Sequence, residues 1–188
     1  MGILKFIMMS VVLSTGCLDK RQIETESNVT FLDVNNEEQI LDNQEAITYL
    51  IQKEFNENEV DSSDFKEGVS FDLNEYVQDF FSKDIADKIQ GNLKAIVDND
   101  EKIFVKNMLD DSYVESNLAW LKTYQAEGMQ YDFQEVNEIK YLEEQNRIQV
   151  VVSFLRKEEN KIQRGILDYS LLYDQDSNEW LIATMDGN

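Results

Sequence analysis

The chain is predicted to fold as an α+β domain, with N-terminal helices packed on an antiparallel meander sheet. Two observations predict this class. Apolar residues recur at helical spacing as far as Tyr124, and from Tyr131 onward they fall on alternate positions. The alternating runs are separated by short polar stretches, which suits neighbouring antiparallel strands joined by tight turns. Helices first and strands second is the order of an α+β fold. One face of each strand alternates apolar, so one side of the sheet is expected to pack on the helices.

The chain opens on Met1, Gly2, Ile3, Leu4 and Lys5, then an apolar run over residues 6–13, then Ser14, Thr15, Gly16 and Cys17. A basic start, a short apolar core and small residues at a cleavage point form the layout of a secretory signal peptide over residues 1–16. A membrane-spanning helix needs roughly 20 apolar residues, well beyond this run. N-myristoylation needs Ser or Thr at position 6, where this chain has Phe6. The bland alternative makes Cys17 a buried core thiol, but its place directly after an apolar run and a glycine disfavours that. The quartet Ser14-Thr15-Gly16-Cys17 resembles the lipobox of bacterial lipoproteins, with Ser14 where Leu is usual. The resemblance implies that the Cys17 sulfur is acylated with a diacylglycerol and that the chain is cut just before it. The protein would then be anchored to the extracytoplasmic face of the cell membrane. Residues 17–36 are polar and read as a flexible tether. Cys17 is the sole cysteine, so the domain at residues 37–188 must hold together without an internal disulfide.

Each element has its own signal. Ile40, Leu41, Ile47, Leu50, Ile51 and Phe55 predict a helix over residues 37–55, capped by Asn35 or Asn36. An acidic connection follows over 56–71. Asp72 is placed to cap a second helix with the stripe Leu73, Tyr76, Val77, Phe80 and Phe81. Ser82, Lys83 and Asp84 mark a break. Ile85, Ile89, Leu93, Ile96 and Val97 continue the helical pattern until Asp98, Asn99 and Asp100 interrupt it. A short helix through Ile103, Phe104 and Met108 comes next. Asp110, Asp111 and Ser112 offer a cap for a last helix with Tyr113, Val114, Leu118, Leu121 and Tyr124, and Gly128 stops it. The strand positions are Tyr131, Phe133, Ile139 and Tyr141; then Ile148, Val150, Val152 and Phe154; then Leu167, Tyr169, Leu171 and Tyr173; then Trp180, Ile182 and Thr184.

Two stretches resemble the NTF2-like (cystatin-like) superfamily. Residues 93–104 are similar to its helix, acidic turn and helix corner. Residues 174–186, with Asn178-Glu179-Trp180-Leu181-Ile182, are similar to its last hairpin and Trp-containing final strand. The resemblance spans residues 37–188 and implies a strongly curved sheet closed on one side by helices into a cone. It also implies that such a domain can serve as an accessory of an envelope complex.

Composition narrows the chemistry. The 38 acidic residues against 17 basic ones give a net charge of −21, which repels nucleic acid and anionic headgroups. A solvated acidic surface accounts for most of this charge. There is no histidine, so imidazole bases and His metal sites are excluded, and with Cys17 assigned to lipid no thiol nucleophile remains. No glycine-rich phosphate loop is present, and no cofactor or metal is expected. Asp174, Asp176 and Asn178 imitate the start of a calcium loop, but Glu179 stands where Gly is needed, so a hairpin turn is the better reading. NTF2-like enzymes pair a pocket Asp with a pocket Tyr; here Asp168 and Tyr169 must face opposite sides of a strand. The resemblance therefore carries over no catalytic residue, and an enzyme with an Asp/Tyr site in the cone stays the alternative. Tyr131, Phe133, Tyr141, Tyr169 and Trp180 are the candidates for lining the cone, either as plain core or as the walls of a site for a small apolar ligand or an envelope protein. The expected function is a non-enzymatic binding or accessory module.

Overall fold

The computed structural model describes residues 46–55, 62–159 and 161–187. The leader, the lipobox with Cys17, the tether and the first part of the predicted 37–55 helix lie outside the described residues.

The fold is a mixed α+β domain. Its strands are β1 (Ile47–Gln52), β2 (Gly68–Val69), β3 (Gln130–Leu142), β4 (Arg147–Glu158), β5 (Lys161–Asp174) and β6 (Glu179–Gly187). They form one six-stranded sheet in the order β1-β3-β4-β5-β6. The long strands β3 to β6 are an antiparallel meander, as the alternation predicts. The free edge of β3 is shared: β1 pairs antiparallel along its second half, and β2 pairs parallel near its start. Helices α1 (Lys83–Asp98), α2 (Glu101–Phe104) and α3 (Asp111–Ala126) lie between β2 and β3 in sequence.

The sheet is bent. Register shifts between Phe133 and Glu135, and between Val136 and Glu138, break the β3 ladder. Each extra residue sharpens the local bend and twist. The bend is visible across the concave face, where the rings of Tyr141 on β3 and Trp180 on β6 come within 6.4 Å although β4 and β5 lie between them. In a flat sheet those two strands would be roughly 14 Å apart.

Helix α1 fills this concavity. Ser82 caps it, its side chain accepting from Ile85 N, and its buried face carries Ile85, Ala86, Ile89, Leu93 and Ile96. These pack on Phe133, Val136, Ile139, Val150, Val152, Tyr169 and Leu171 from the sheet in one core. The acidic triplet after α1 is a corner: Asn99 is left-handed (φ 56) and Asp100 caps α2, accepting from Ile103 N. The short polar side chain of Asn tolerates that conformation. Gln90 on α1 ties down the preceding segment, donating to Phe71 O (3.2 Å) and accepting from Leu73 N (3.0 Å). At the centre of the core, Tyr169 Oη donates to Asn92 Oδ1 (2.8 Å), and Asn92 Nδ2 donates to Phe104 O (2.6 Å).

Two predicted helices are corrected. Within 37–55, the described part is strand β1. Leu50 is the extra residue of a register shift between Tyr49 and Ile51, which lets the neighbours Leu50 and Ile51 both pack on the core. An adjacent apolar pair of that kind imitates helical spacing. The predicted helix at 72–81 is a single 3-10 turn over Leu73–Tyr76, capped by Asp72 as expected. Val77 then turns out to 39% exposure, while Asp79 (φ 48) and a Gln78–Phe81 bridge bring Phe81 into the core. The hydrogen bond from Leu73 N to Gln90 satisfies a first-turn N–H and ties this turn to α1. The short helix after the corner ends at Phe104, and Met108 instead bridges to Ile182.

Tyr169→Phe removes one hydroxyl and leaves Asn92 Oδ1 without its buried donor. The expected cost is about 1–3 kcal/mol in urea-unfolding stability with the fold unchanged. A variant as stable as the native protein would show that this bond is energetically idle.

Candidate functional site

The surplus aromatic residues fall into two clusters at opposite ends of the concave face. At the end where β3 finishes, Tyr141 stacks on Phe80 (5.5 Å) and meets Trp180 edge-on, and Trp180 in turn meets Tyr173 (5.6 Å). At the end where β3 begins, Trp120 and Tyr124 of α3 meet Tyr131, which stacks on Phe133 (5.8 Å, 9° between planes) and meets Phe154 edge-on (5.4 Å). Trp120 also stacks on Phe104 (6.3 Å), so α2 and α3 both lean on this cluster.

The second cluster is incompletely filled. Trp120, Tyr124, Tyr131, Phe133, Phe154, Arg156, Leu167 and Gly187 surround a partly open recess with a cavity volume of about 30 Å³. That is room for a water or a group of a few atoms rather than a whole small-molecule ligand, which needs roughly 300 Å³ or more. Two of its polar members are direct cross-strand partners: Tyr131 on β3 stands opposite Arg156 on β4. Tyr131 is 4% exposed, and its hydroxyl lies beside the Arg156 guanidinium. Burial pushes the phenol up from its ordinary value; Tyr124 adds to the rise, and the charge and hydrogen bonding of Arg156 oppose it. Arg156 is half-buried at the mouth, 5.7 Å from the centre of the Tyr124 ring, and donates to Gln163 Oε1 on β5 (2.5 Å). No carboxylate lines the recess.

The residues singled out by sequence are therefore divided. Tyr131 and Phe133 line the recess. Tyr169 is fully buried beneath α1 and bonded to Asn92, so it is core. Tyr141 and Trp180 belong to the far cluster. Asp168 lies on the opposite face of β5 from Tyr169; its pairing with Val151 and Asp186 places it on the convex side, where burial raises its carboxyl. Trp120, Tyr124, Phe154, Arg156, Leu167 and Gly187 line the recess but lie outside the set of candidates drawn from sequence. The signal for Arg156 was present: Ile148, Val150, Val152 and Phe154 point inward, and two residues further on the same parity is Arg156.

A second concavity is polar. Asp84, Asp87, Lys88, Lys106, Asn107 and Glu179 border an open groove of about 340 Å³. Its buried cation is committed to the fold. Lys88 Nζ reaches Asp84 (2.8 Å), Glu179 (3.0 Å) and Trp180 O (2.9 Å), tying α1 to the start of β6. Burial works against its charge, but the hydrogen bonds to Asp84 and Glu179 outweigh it and hold the amine above its ordinary value. Among the described residues, no group of three or more Asp or Glu is placed to hold a metal ion, and no helix is long and apolar enough to cross a membrane. Asp174 accepts from Asp176 N and Ser177 N, as a hairpin turn requires.

No protein-family model matches the chain, and no curated protein matches it.

The Lys88 amine keeps its proton in the folded state at pH values where the unfolded chain releases it. Its contribution is complete below the ordinary lysine value of 10.5 and is lost as pH rises beyond it. Thermal unfolding midpoints should fall above that pH, with a shallower fall in Lys88→Met. Burial raises Tyr131 and Tyr169 too, so they act in the same direction and the fall should not vanish. Identical slopes for the two proteins would contradict the assignment.

Proposed function

We propose that this chain is a lipoprotein anchored through Cys17 to the extracytoplasmic face of the cell membrane. Its domain acts there as a non-enzymatic binding or accessory module of the envelope, an NTF2-like cone whose working end is the Trp120–Tyr131–Arg156 recess. The single observation that carries the binding reading is an incompletely filled aromatic recess that holds a buried Tyr131 hydroxyl beside a half-buried guanidinium. An apolar recess with a few convergent polar groups is the form a binding site takes. The anchoring reading is supported by Ser14-Thr15-Gly16-Cys17 behind a short apolar run. The helix, acidic turn, helix corner and the Trp-containing last strand support the NTF2-like reading. The net charge of −21 favours partners other than nucleic acid.

The anchor is tested by growing the source cells, or a bacterial host, with labelled palmitate. The native chain should carry label and sediment with membranes. Cys17→Ala should lose the label and either leave the membrane fraction or persist as the uncut precursor. A Cys17→Ala protein that is cut and fractionates like the native one would refute the lipoprotein reading.

A further inference from the structure

The recess has a defined chemistry. Its walls are the faces and edges of Trp120, Tyr124, Tyr131, Phe133 and Phe154, which suit an apolar group. Its polar equipment includes two donors, the Arg156 guanidinium and the buried Tyr131 hydroxyl, held opposite each other across β3 and β4. Among the described residues every ion pair is made by a lysine, and the arginines Arg147, Arg156 and Arg164 bond the neutral Ser170, Gln163 and Gln134. Of these three guanidiniums, that of Arg156 lines the aromatic recess, where a planar carboxylate suits it.

We propose that the recess binds the carboxylate end of a small apolar monocarboxylate, which accepts hydrogen bonds from Tyr131 and Arg156 while its hydrocarbon lies on the Trp120 and Phe154 rings. This rests on the reading of the domain as a binding module and names its ligand class. Size and charge select among anions. A cavity of about 30 Å³ takes a planar carboxylate end and little more. A dianion such as phosphate is bulkier, and the net charge of −21 repels it twice as strongly as a monoanion. A neutral alcohol finds the aromatic walls but forgoes the charge-assisted bond to the guanidinium.

Trp120 supplies the readout. In the Trp180→Phe background it is the sole tryptophan, because the chain has two. Sodium butyrate is titrated against the folded protein while Trp120 emission is followed, with butanol and inorganic phosphate as comparisons. Butyrate should give a saturable change with a midpoint on the order of 1–10 mM. Butanol and phosphate should require at least about ten-fold more. Arg156→Gln should weaken butyrate about ten-fold or more, and Tyr131→Phe several-fold, with far-UV circular dichroism unchanged. If Tyr131→Phe does not fold, Arg156→Gln at the half-buried mouth carries the test alone. Butanol binding as tightly as butyrate would overturn the carboxylate assignment and leave an apolar binding recess standing. Phosphate binding as tightly as butyrate would overturn the monocarboxylate assignment. No saturable response to butyrate or butanol would overturn both the assignment and the reading of the recess as a binding site.

Discussion

The architecture turns on one buried hydrogen bond, from Tyr169 Oη at the centre of the sheet to Asn92 Oδ1 on α1. Both residues are almost wholly removed from solvent. In such surroundings a hydroxyl and an amide are tolerated only when paired, so the bond admits one rotation and one height of α1 over the sheet. The other end of the Asn92 amide takes Phe104 O, which places α2 at the same time. Around this point the packing is apolar, with Ile85, Ile89, Leu93 and Ile96 set against β3, β4 and β5. The Lys88 bonds to Asp84, Glu179 and Trp180 O pin the same helix to the last strand.

With α1 fixed over Tyr169 in the middle, the remaining aromatic side chains of the concave face gather at its two ends. The end holding Phe80, Tyr141, Tyr173 and Trp180 is bridged ring to ring. The other end is assembled from α3, β3 and β4, and there the rings meet around a gap instead of closing it. The β3 bulges contribute to this difference, because they bend the strand between Phe133 and Glu138, just beyond the recess. The gap coincides with the one inward position of β4 that is cationic, Arg156. A basic side chain at the mouth of an aromatic recess, on a protein this acidic, is a local reversal of the overall field.

Much of this was legible in the sequence, and the parts that were not have physical causes. The meander was readable because Ile148 to Phe154 and Leu167 to Tyr173 carry apolar residues at every second position, with only Val151 and Leu172 apolar between them. The caps at Asp72 and Asp110 were readable because a short acidic side chain before a helical turn satisfies its free N–H groups locally. Strand β1 was missed because its bulge sets Leu50 and Ile51 on the same core, which is a helical spacing. The turn at Val77 to Phe81 was missed because a tight local turn through Asp79, closed between Gln78 and Phe81, replaces the helix while still burying Phe81. The site was half legible. Alternation places Tyr131 and Phe133 inward, but their meeting with Trp120 depends on where α3 docks, and no local pattern encodes that.

Helix α1 fills the middle of the concave face, and the usable opening is at the Trp120 end. The most direct measurement is solution NMR of the isotope-labelled protein with unlabelled butyrate, recording intermolecular NOEs from the butyrate methyl and methylene protons. NOEs to the ring protons of Trp120, Tyr131 and Phe154 are the predicted result. NOEs to Tyr141 and Trp180, or to none of these rings at saturating butyrate, would contradict it.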